Sequence, residues 1–431
     1  MTETAGDEDT LDVIVAGAGL AGLACAHECA AAGLQTIVLE RGDAPGAKNL
    51  SGGRLYLEPL RDLCGELLAG APFERPLTSE SIVLCGEREA VSLRTDKTAV
   101  DEDPHSVTVL RARLDAHLAE RVTAKGAMLL PGQRADSLIK RDGRVTGVKV
   151  GPENLHARVV VAADGVLSFL AEQAGLRSER HAQAYAVGIK EVIELDSQTI
   201  EERFGLGPGR GAARLYIGRV TGGLPGGGFI YTNKDSLSLG LVARIDALRE
   251  WKDESVFADL LEEFKQRPEL APLIAGGRTV EYGAHLIPEG GLHSLPAPGL
   301  PGLLLVGDAA GLVLNTGAVL RGMDLAMASG AMAGRSIAAS FAAGAGGGDC
   351  LERYGSALKS SFIVREMRKH RRAAKALSQP RLYADYPDKL ARLATELFET
   401  DAAGEHHSAR QAIKKLRRAV RLRDIWRIIR M

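Results

Sequence analysis

Apolar positions in this chain form short unbroken runs near its start, alternate with polar positions through its middle, and return to unbroken runs near residue 300. Unbroken runs bounded by glycine mark strands buried on both faces; alternation marks strands with one wet face. The runs at 13–16 and 35–39 flank a small-residue helix around Leu23-Ala24-Cys25-Ala26, so residues 11–40 read as strand, helix, strand. Residues 57–68 look helical, and 81–91 read as a short strand or hairpin. Leu110, Leu114, Leu118 and Val122 recur at four-residue spacing, which predicts an amphipathic helix over 110–127 that ends at Gly126. Residues 137–150 predict a hairpin turning at Asp142-Gly143, and 157–162 a buried strand with a helix soon after it.

From about Tyr185 the alternating texture takes over. Residues 185–195, 214–220, 228–232 and 236–244 predict antiparallel strands, with one helix within 247–264. The buried texture returns in Leu303-Leu304-Leu305-Val306. A small-residue helix is predicted to begin after Asn315-Thr316-Gly317, and a basic helix to cover 351–377 and end before Pro380. The expected architecture is α/β. A Rossmann-like nucleotide-binding domain (11–75, 105–178 and 279–345) is interrupted by an inserted antiparallel sheet domain (76–104 and 179–278). A basic helical region (346–431) follows.

The first apolar run leads straight into Gly17-Ala18-Gly19-Leu20-Ala21-Gly22, and the second ends at Glu40, 18 residues beyond Gly22. In a dinucleotide-binding unit the first glycine permits the tight turn. The second lets backbone approach a pyrophosphate, and the third lets helix and strand pack closely. The pyrophosphate would rest on the N–H groups that open the helix, at Leu20, Ala21 and Gly22. Glu40 is placed for a ribose hydroxyl pair. A glycine triplet alone would also suit a turn in an unrelated α/β fold; the strand, the helix and the acid narrow it.

Two more glycine–acid pairs, Asp164-Gly165 and Gly307-Asp308, end later buried strands, where open α/β sheets bind ligands. Each alone could be a turn or a helix cap. All three in this order predict bound FAD, with Asp308 accepting from a ribityl hydroxyl. A helix opening at Gly317-Ala318 would direct N–H groups at the pyrimidine edge of the flavin. That favours the negative charge of the reduced ring by roughly 0.3–1 kcal/mol.

Composition removes several other classes. Charged residues make up 25 % and the net charge is −1, so nothing marks a nucleic-acid binder. The cysteines are Cys25, Cys29, Cys64, Cys85 and Cys350: too few and scattered for a disulfide scaffold, with no four-cysteine iron–sulfur pattern. Cys25 and Cys29 stand four apart on one helix and read as small core residues, and no metal site is expected. His27, His117, His181 and His285 are isolated and read as structural or surface groups. No catalytic side chain is expected, because the flavin carries the chemistry. Residues 1–10 are acidic and polar, unlike a signal peptide, and no run reaches membrane-spanning length. The expected location is cytoplasmic.

The C-terminal segment refines that location. Ile413, Leu416 and Val420 share one helical face, while Leu422, Ile425, Trp426 and Ile429 share a nearly opposite one. A single straight helix cannot lay both on one surface; two short helices or a kink can. Nine Lys and Arg residues between 410 and 430 face one acid, Asp424. The segment suits peripheral contact with the inner face of the cell membrane, or docking on an acidic partner, or simple packing on the body.

Several segments also carry a family resemblance: Gly17–Gly22, Leu39-Glu40-Arg41-Gly42, and Lys48-Asn49-Leu50-Ser51-Gly52-Gly53-Arg54-Leu55-Tyr56. To these belong Leu110-Arg111 with Asp115 and Leu118, Ala163-Asp164-Gly165, Val306-Gly307-Asp308-Ala309-Ala310-Gly311, and Arg321-Gly322-Met323-Asp324-Leu325-Ala326. From about residue 11 onward the chain resembles flavoproteins of the p-hydroxybenzoate hydroxylase, geranylgeranyl reductase and electron-transfer-flavoprotein:quinone oxidoreductase group, with the FixC type most similar. The resemblance implies a glutathione-reductase-like FAD fold. It implies FAD held by Gly17, Gly19, Gly22, Glu40, Arg41, Arg111, Asp164 and Asp308, with Gly52 and Gly53 near the isoalloxazine and 317–324 at its pyrimidine edge. It further implies electrons entering from an electron transfer flavoprotein and leaving to membrane quinone, with a ferredoxin-like protein supplying an iron–sulfur cluster. The alternatives are a flavin-dependent reductase or monooxygenase of a small or prenyl substrate, and a non-catalytic binding subunit.

Overall fold

The computed structural model describes residues 10–47, 49, 52–98, 103–177, 182–251, 256–400, 404, 406 and 408–429. Its first layer is a parallel sheet. Strand β1 (Leu11–Ala16) is followed by helix α1 (Leu20–Ala31) and strand β2 (Thr36–Glu40). Across the sheet the order is Met128–Pro131, β2, β1, Glu153–Ala162 and Leu303–Leu305, all parallel, with Gly299–Leu300 antiparallel at the edge. Val13 to Val15 and Val159 to Ala162 are fully buried, because helices or loops cover both faces. The hairpin of Ser137–Arg141 and Arg144–Val150 extends the Glu153–Ala162 strand, with Asp142 in its turn at φ +49°.

Helix α1 lies between the sheet and the long helix Met323–Ala342. Gly330 and Gly334, one turn apart, make that contact close. A Cβ on Gly330 would stand 2.0 Å from the Ala21 carbonyl oxygen, and one on Gly334 2.6 Å from that of Cys25. The small residues of this helix therefore serve the packing of two helices. Cys25 and Cys29 lie in the same seam, fully buried.

The second layer is a seven-stranded sheet with its own core. Its order is Arg278–Pro288, Tyr185–Glu194, Ser236–Arg244, Gly226–Thr232, Gly211–Gly218, Leu77–Cys85 and Ala90–Asp96. All pairs are antiparallel except Gly211–Gly218 with Leu77–Cys85. The alternation sorts its side chains. Val83, Tyr216, Ile230, Leu237, Leu239 and Leu241 turn to one face, where the helices Ser197–Phe204 and Phe257–Gln266 cover them. Each large side chain buried on this face contributes roughly 1.5–3 kcal/mol to the layer. The other face looks toward the parallel sheet and carries Lys190, Phe229, Leu215, Ile82 and Leu93 in one cross-strand row.

Several elements differ from the sequence expectation. The strand Arg278–Pro288 pairs in the second sheet, so the boundary expected at 278 falls ten residues too early. Residues 57–68 give only a turn at Glu58–Leu60 and one helical turn at Arg61–Cys64, with Pro59 at the start and Gly65 at the end. The single helix expected within 247–264 is two, Ile245–Glu250 and Phe257–Gln266. The basic helix over 351–377 is three: Cys350–Ser360, Phe362–Lys369 and Ala373–Leu377. Ser361 adopts extended backbone, and its hydroxyl accepts from the Val364 N–H, which starts a new helix. At the C-terminus the expected break is present, between Ala409–Ala419 and Leu422–Ile429. Asp424 of the last helix is buried, accepting from the Tyr386 hydroxyl at 2.5 Å and from Arg381 at 3.3 Å. No helix among the described residues is long and apolar enough to cross a membrane.

Candidate cofactor cleft

The turn between β1 and α1 demands glycine at two positions. Gly17 has φ +113°, and a Cβ there would lie 2.3 Å from the Ala163 carbonyl oxygen. A Cβ on Gly22 would lie 1.9 Å from the Gly17 carbonyl oxygen. Gly19 is different: a Cβ there meets nothing within 4 Å, so this part of the turn faces open space. Gly19 is also the N-cap of α1, with no side-chain cap and no acid in the first turn. The N–H groups at Leu20, Ala21 and Gly22 have no intrahelical partner, which leaves the positive end of the helix to an anion.

Glu40 borders this turn. One carboxylate oxygen accepts from the Ala18 N–H at 3.0 Å and the other from the Gly42 N–H at 2.6 Å. Each oxygen keeps acceptor capacity for a ribose hydroxyl. Arg41, the next residue, is exposed.

The two later acids are in different states. Asp164 accepts from the Ser168 hydroxyl at 2.6 Å and from the Leu170 N–H at 3.1 Å, so both oxygens are tied into the start of the helix Phe169–Gln173. Its neighbour Gly165, at φ +80°, faces open space. Asp308 has no such donors: none among the described residues hydrogen-bonds its carboxylate. Burial pushes its pKa up to about 6, against the opposing pull of the Arg111 and Arg177 guanidiniums. A carboxylate partly withdrawn from water and left without protein donors is costly unless a ligand supplies them. Gly307 sets it in place. Its N–H donates to the Ser329 hydroxyl at 2.9 Å, and a Cβ there would meet the Ala21 Cβ at 2.8 Å.

Cations line the same cleft. Arg111 donates twice to Asp115, at 2.8 Å each, and Asn49 holds the same carboxylate at 2.9 Å. Lys190, from the second sheet, reaches the Gly52 carbonyl oxygen at 3.4 Å. Burial, then the nearby Arg111 charge, lowers its pKa to about 8. His285, on the adjoining strand, is pushed down to about 4 by burial and by the Lys190, Arg111 and Arg41 charges, so its ring is neutral at pH 7. Sequence reading set His285 aside as a structural or surface group and did not single out Lys190. His285 is alone in sequence, and the only signal for Lys190 was a cation at an alternating strand position. His27 and His117 do stand apart from the cleft: His27 is buried, and His117 lies against the Ala69 carbonyl. His181, and Lys48, Leu50 and Ser51 of the loop, lie outside the described residues.

Gly52 and Gly53 carry that loop between the two layers. A Cβ on Gly52 (φ +88°) would overlap the Ser238 hydroxyl at 1.9 Å, and one on Gly53 would touch the Met323 methyl at 3.0 Å.

The helix start expected at Gly317 is not there. Leu314–Asn315 pairs with Leu320–Arg321 in a small hairpin, and Gly317 (φ +83°) sits in its turn with its N–H donated to the Asn315 side chain at 2.8 Å. The turn satisfies the backbone locally, so the helix opens only at Met323. Asp324, buried in the first turn of that helix, is paired with Arg321. Ala318 has another place. With Val319 and Leu320 it walls a half-open cavity of about 210 Å³, opposite Tyr56, Tyr231, Ile82, Leu93 and Leu215. Arg54 fixes one side, bonded to Glu80 at 2.8 and 2.9 Å and stacked 4.3 Å from the Tyr56 ring centre.

Residues 12–186 match the model of the FAD dependent oxidoreductase family. The chain is 42 % identical over 395 residues to the probable electron transfer flavoprotein-quinone oxidoreductase YdiS of Escherichia coli K12, which covers 91 % of this chain and 92 % of that protein. To protein FixC of the same strain it is 41 % identical over 399 residues, 92 % of each chain. The chain belongs to this family of FAD-dependent oxidoreductases. Solved structures show the same fold. A geranylgeranyl bacteriochlorophyll reductase-like protein of Thermoplasma acidophilum superposes with a TM-score of 0.72 at 22 % identity, covering 95 % of this chain and 96 % of that one. The myxobacterial FAD-dependent halogenase CndH gives 0.63 at 19 %, covering 95 % and 89 %.

The cofactor of this oxidoreductase is FAD, and the cleft is built to fit it. Open space at Gly19 beside a free helix end suits a pyrophosphate. Acceptor capacity at Glu40 and an undonated carboxylate at Asp308 suit the hydroxyls on either side of it. Bound FAD supplies the electron-transfer chemistry; the chain binds it, orients it and sets its surroundings.

Proposed function

We propose that this FAD-dependent electron-transfer oxidoreductase accepts electrons from an electron transfer flavoprotein and delivers them to a membrane quinone. The observation that carries this reading is the half-open cavity beside Gly53–Tyr56. Its aromatic and aliphatic walls suit a flat, apolar acceptor, and its opening lets such a molecule enter from outside. Relatives matched over more than nine-tenths of both chains carry the names of those two partners. A separate ferredoxin-like protein would supply an iron–sulfur centre, since all five cysteines here are free and buried and no four-cysteine pattern occurs in the sequence.

In this reading Gly17, Gly19, Leu20, Ala21 and Gly22 hold the pyrophosphate, and Glu40 and Arg41 the adenosine. Arg111 and Asp308, with backbone at Asp164-Gly165 and Gly307, hold the ribityl chain. Gly52, Gly53 and the Gly317-Ala318 turn border the ring. The C-terminal helices touch the inner face of the cell membrane. In the C-terminal region Phe398 is 86 % and Trp426 58 % exposed, and Lys414, Arg417, Arg418 and Arg423 are exposed as well.

The test is to record the flavin spectrum of the purified protein and mix it anaerobically with reduced electron transfer flavoprotein or, separately, with NADPH. Bleaching by the flavoprotein, reversed by a short-chain quinone, is expected. Fast bleaching by NADPH alone would overturn the reading in favour of a reductase or monooxygenase acting on a small or prenyl substrate.

A further inference from the structure

We infer that Lys190 is a positioning residue that sets the flavin's affinity for electrons, by holding a fixed positive charge on the second sheet against the glycine loop at Gly52. The inference rests on the reading above that Gly52 and Gly53 border the isoalloxazine. It goes beyond that reading by naming the group that tunes the ring.

Three observations support it. The first is geometry. Lys190 comes from the sheet face turned to the cleft, its ammonium donates to the Gly52 carbonyl at 3.4 Å, and it lies 5.8 Å from the centre of the Phe229 ring. Phe229 is itself stacked on Tyr231, which lines the cavity proposed for the acceptor. The cation thus stands between the glycine loop and the acceptor cavity.

The second is charge. No carboxylate among the described residues forms an ion pair with Lys190; Glu281 acts on it only through the field. Arg111 is held in an ion pair with buried Asp115, and His285 is neutral at pH 7. A lysine with no ion-pair partner among the described residues carries its charge into a shielded space, where it acts more strongly than in water.

The third is the elimination of the alternative donor. The N-terminus of a long helix was the expected source of positive potential, but that end holds the buried Asp324 carboxylate, paired with Arg321. Its dipole is already answered within the protein. Lys190 is the cation that stands against the glycine loop, placed to answer the negative charge that a reduced isoalloxazine carries.

Sulfite is a suitable probe, because its adduct with oxidised flavin is also anionic. With FAD content measured from the spectrum, Lys190→Met should bind sulfite at least tenfold more weakly. It should also lower the two-electron midpoint potential, by about 30 mV for each tenfold change in the redox equilibrium. Lys190→Arg should keep both values near the parent. Lys190→Cys should behave as the methionine variant does. If the methionine variant fails to take up FAD, Lys190→Gln replaces it. Unchanged sulfite affinity and potential in a flavin-loaded methionine or glutamine variant would overturn the inference. A parent protein whose flavin is bleached by NADPH alone would instead overturn the function proposed above and leave this result standing.

Discussion

Replacing Asp308 by asparagine should stabilise the flavin-free protein and weaken its hold on FAD. The shift from 3.8 to about 6 measures how much the folded chain disfavours this carboxylate. Two pH units at about 1.4 kcal/mol each give about 3 kcal/mol. Asp308 is partly open to the cleft, and water there screens the charge, so the measurable effect is about 1–3 kcal/mol. The sign follows from proton binding. Between pH 3.8 and 6 the folded state holds a proton that the unfolded state has released, so stability falls as pH rises through this window. Above pH 6 the whole penalty is present, and asparagine removes it. Urea unfolding of flavin-stripped protein should therefore show the asparagine variant more stable at pH 7.5, with the gap narrowing toward pH 5. FAD binding should change in the opposite sense. A hydroxyl donating to a carboxylate is worth about 1.5–3 kcal/mol, against about 1 for a neutral acceptor. A loss of roughly three- to thirtyfold in FAD affinity is expected by fluorescence titration. An asparagine variant no more stable than its parent at pH 7.5, with FAD affinity unchanged, would refute the reasoning.

Other substitutions test other parts. Gly17→Ala brings a Cβ to 2.3 Å from a backbone oxygen at φ +113° and should abolish stable FAD uptake, read from the absorbance ratio of purified protein. Tyr386→Phe removes the 2.5 Å bond to buried Asp424. It should loosen the last helix by about 1–3 kcal/mol, seen as faster proteolysis between 408 and 429 at equal overall stability. Reversing Arg417 and Arg418 together to glutamate should release the protein from anionic vesicles in a sedimentation assay without changing its flavin spectrum; equal binding by the variant would remove the membrane from the proposed function.

What could be read in the sequence was local. Gly17, Gly22 and Glu40 declare themselves because strand, turn and helix are contiguous, and the structure shows the backbone contact behind each glycine. The alternating strands were equally legible, since period-two burial follows directly from one covered face. Two kinds of feature were not. Helix starts depend on small competing energies: the hairpin at 314–321 satisfies Gly317 locally, and Ser361 restarts a helix that the apolar spacing would have continued. Partners across the cleft depend on how two sheets come together. Lys190, His285 and Arg111 are far apart along the chain, and no local pattern signals that their charges share one space.

The two walls of the cleft belong to layers with separate cores, and the chain passes between them repeatedly, before 77, after 96, before 185 and after 288. FAD lying between them would act as mortar as well as reagent. Each tenfold rise of free FAD above its dissociation constant would add about 1.4 kcal/mol to the folded state. The cell's flavin supply would then govern how long the protein survives proteases: chains made when flavin is scarce would be degraded soon after synthesis, and the amount of functional oxidoreductase would follow riboflavin status with no change in gene expression.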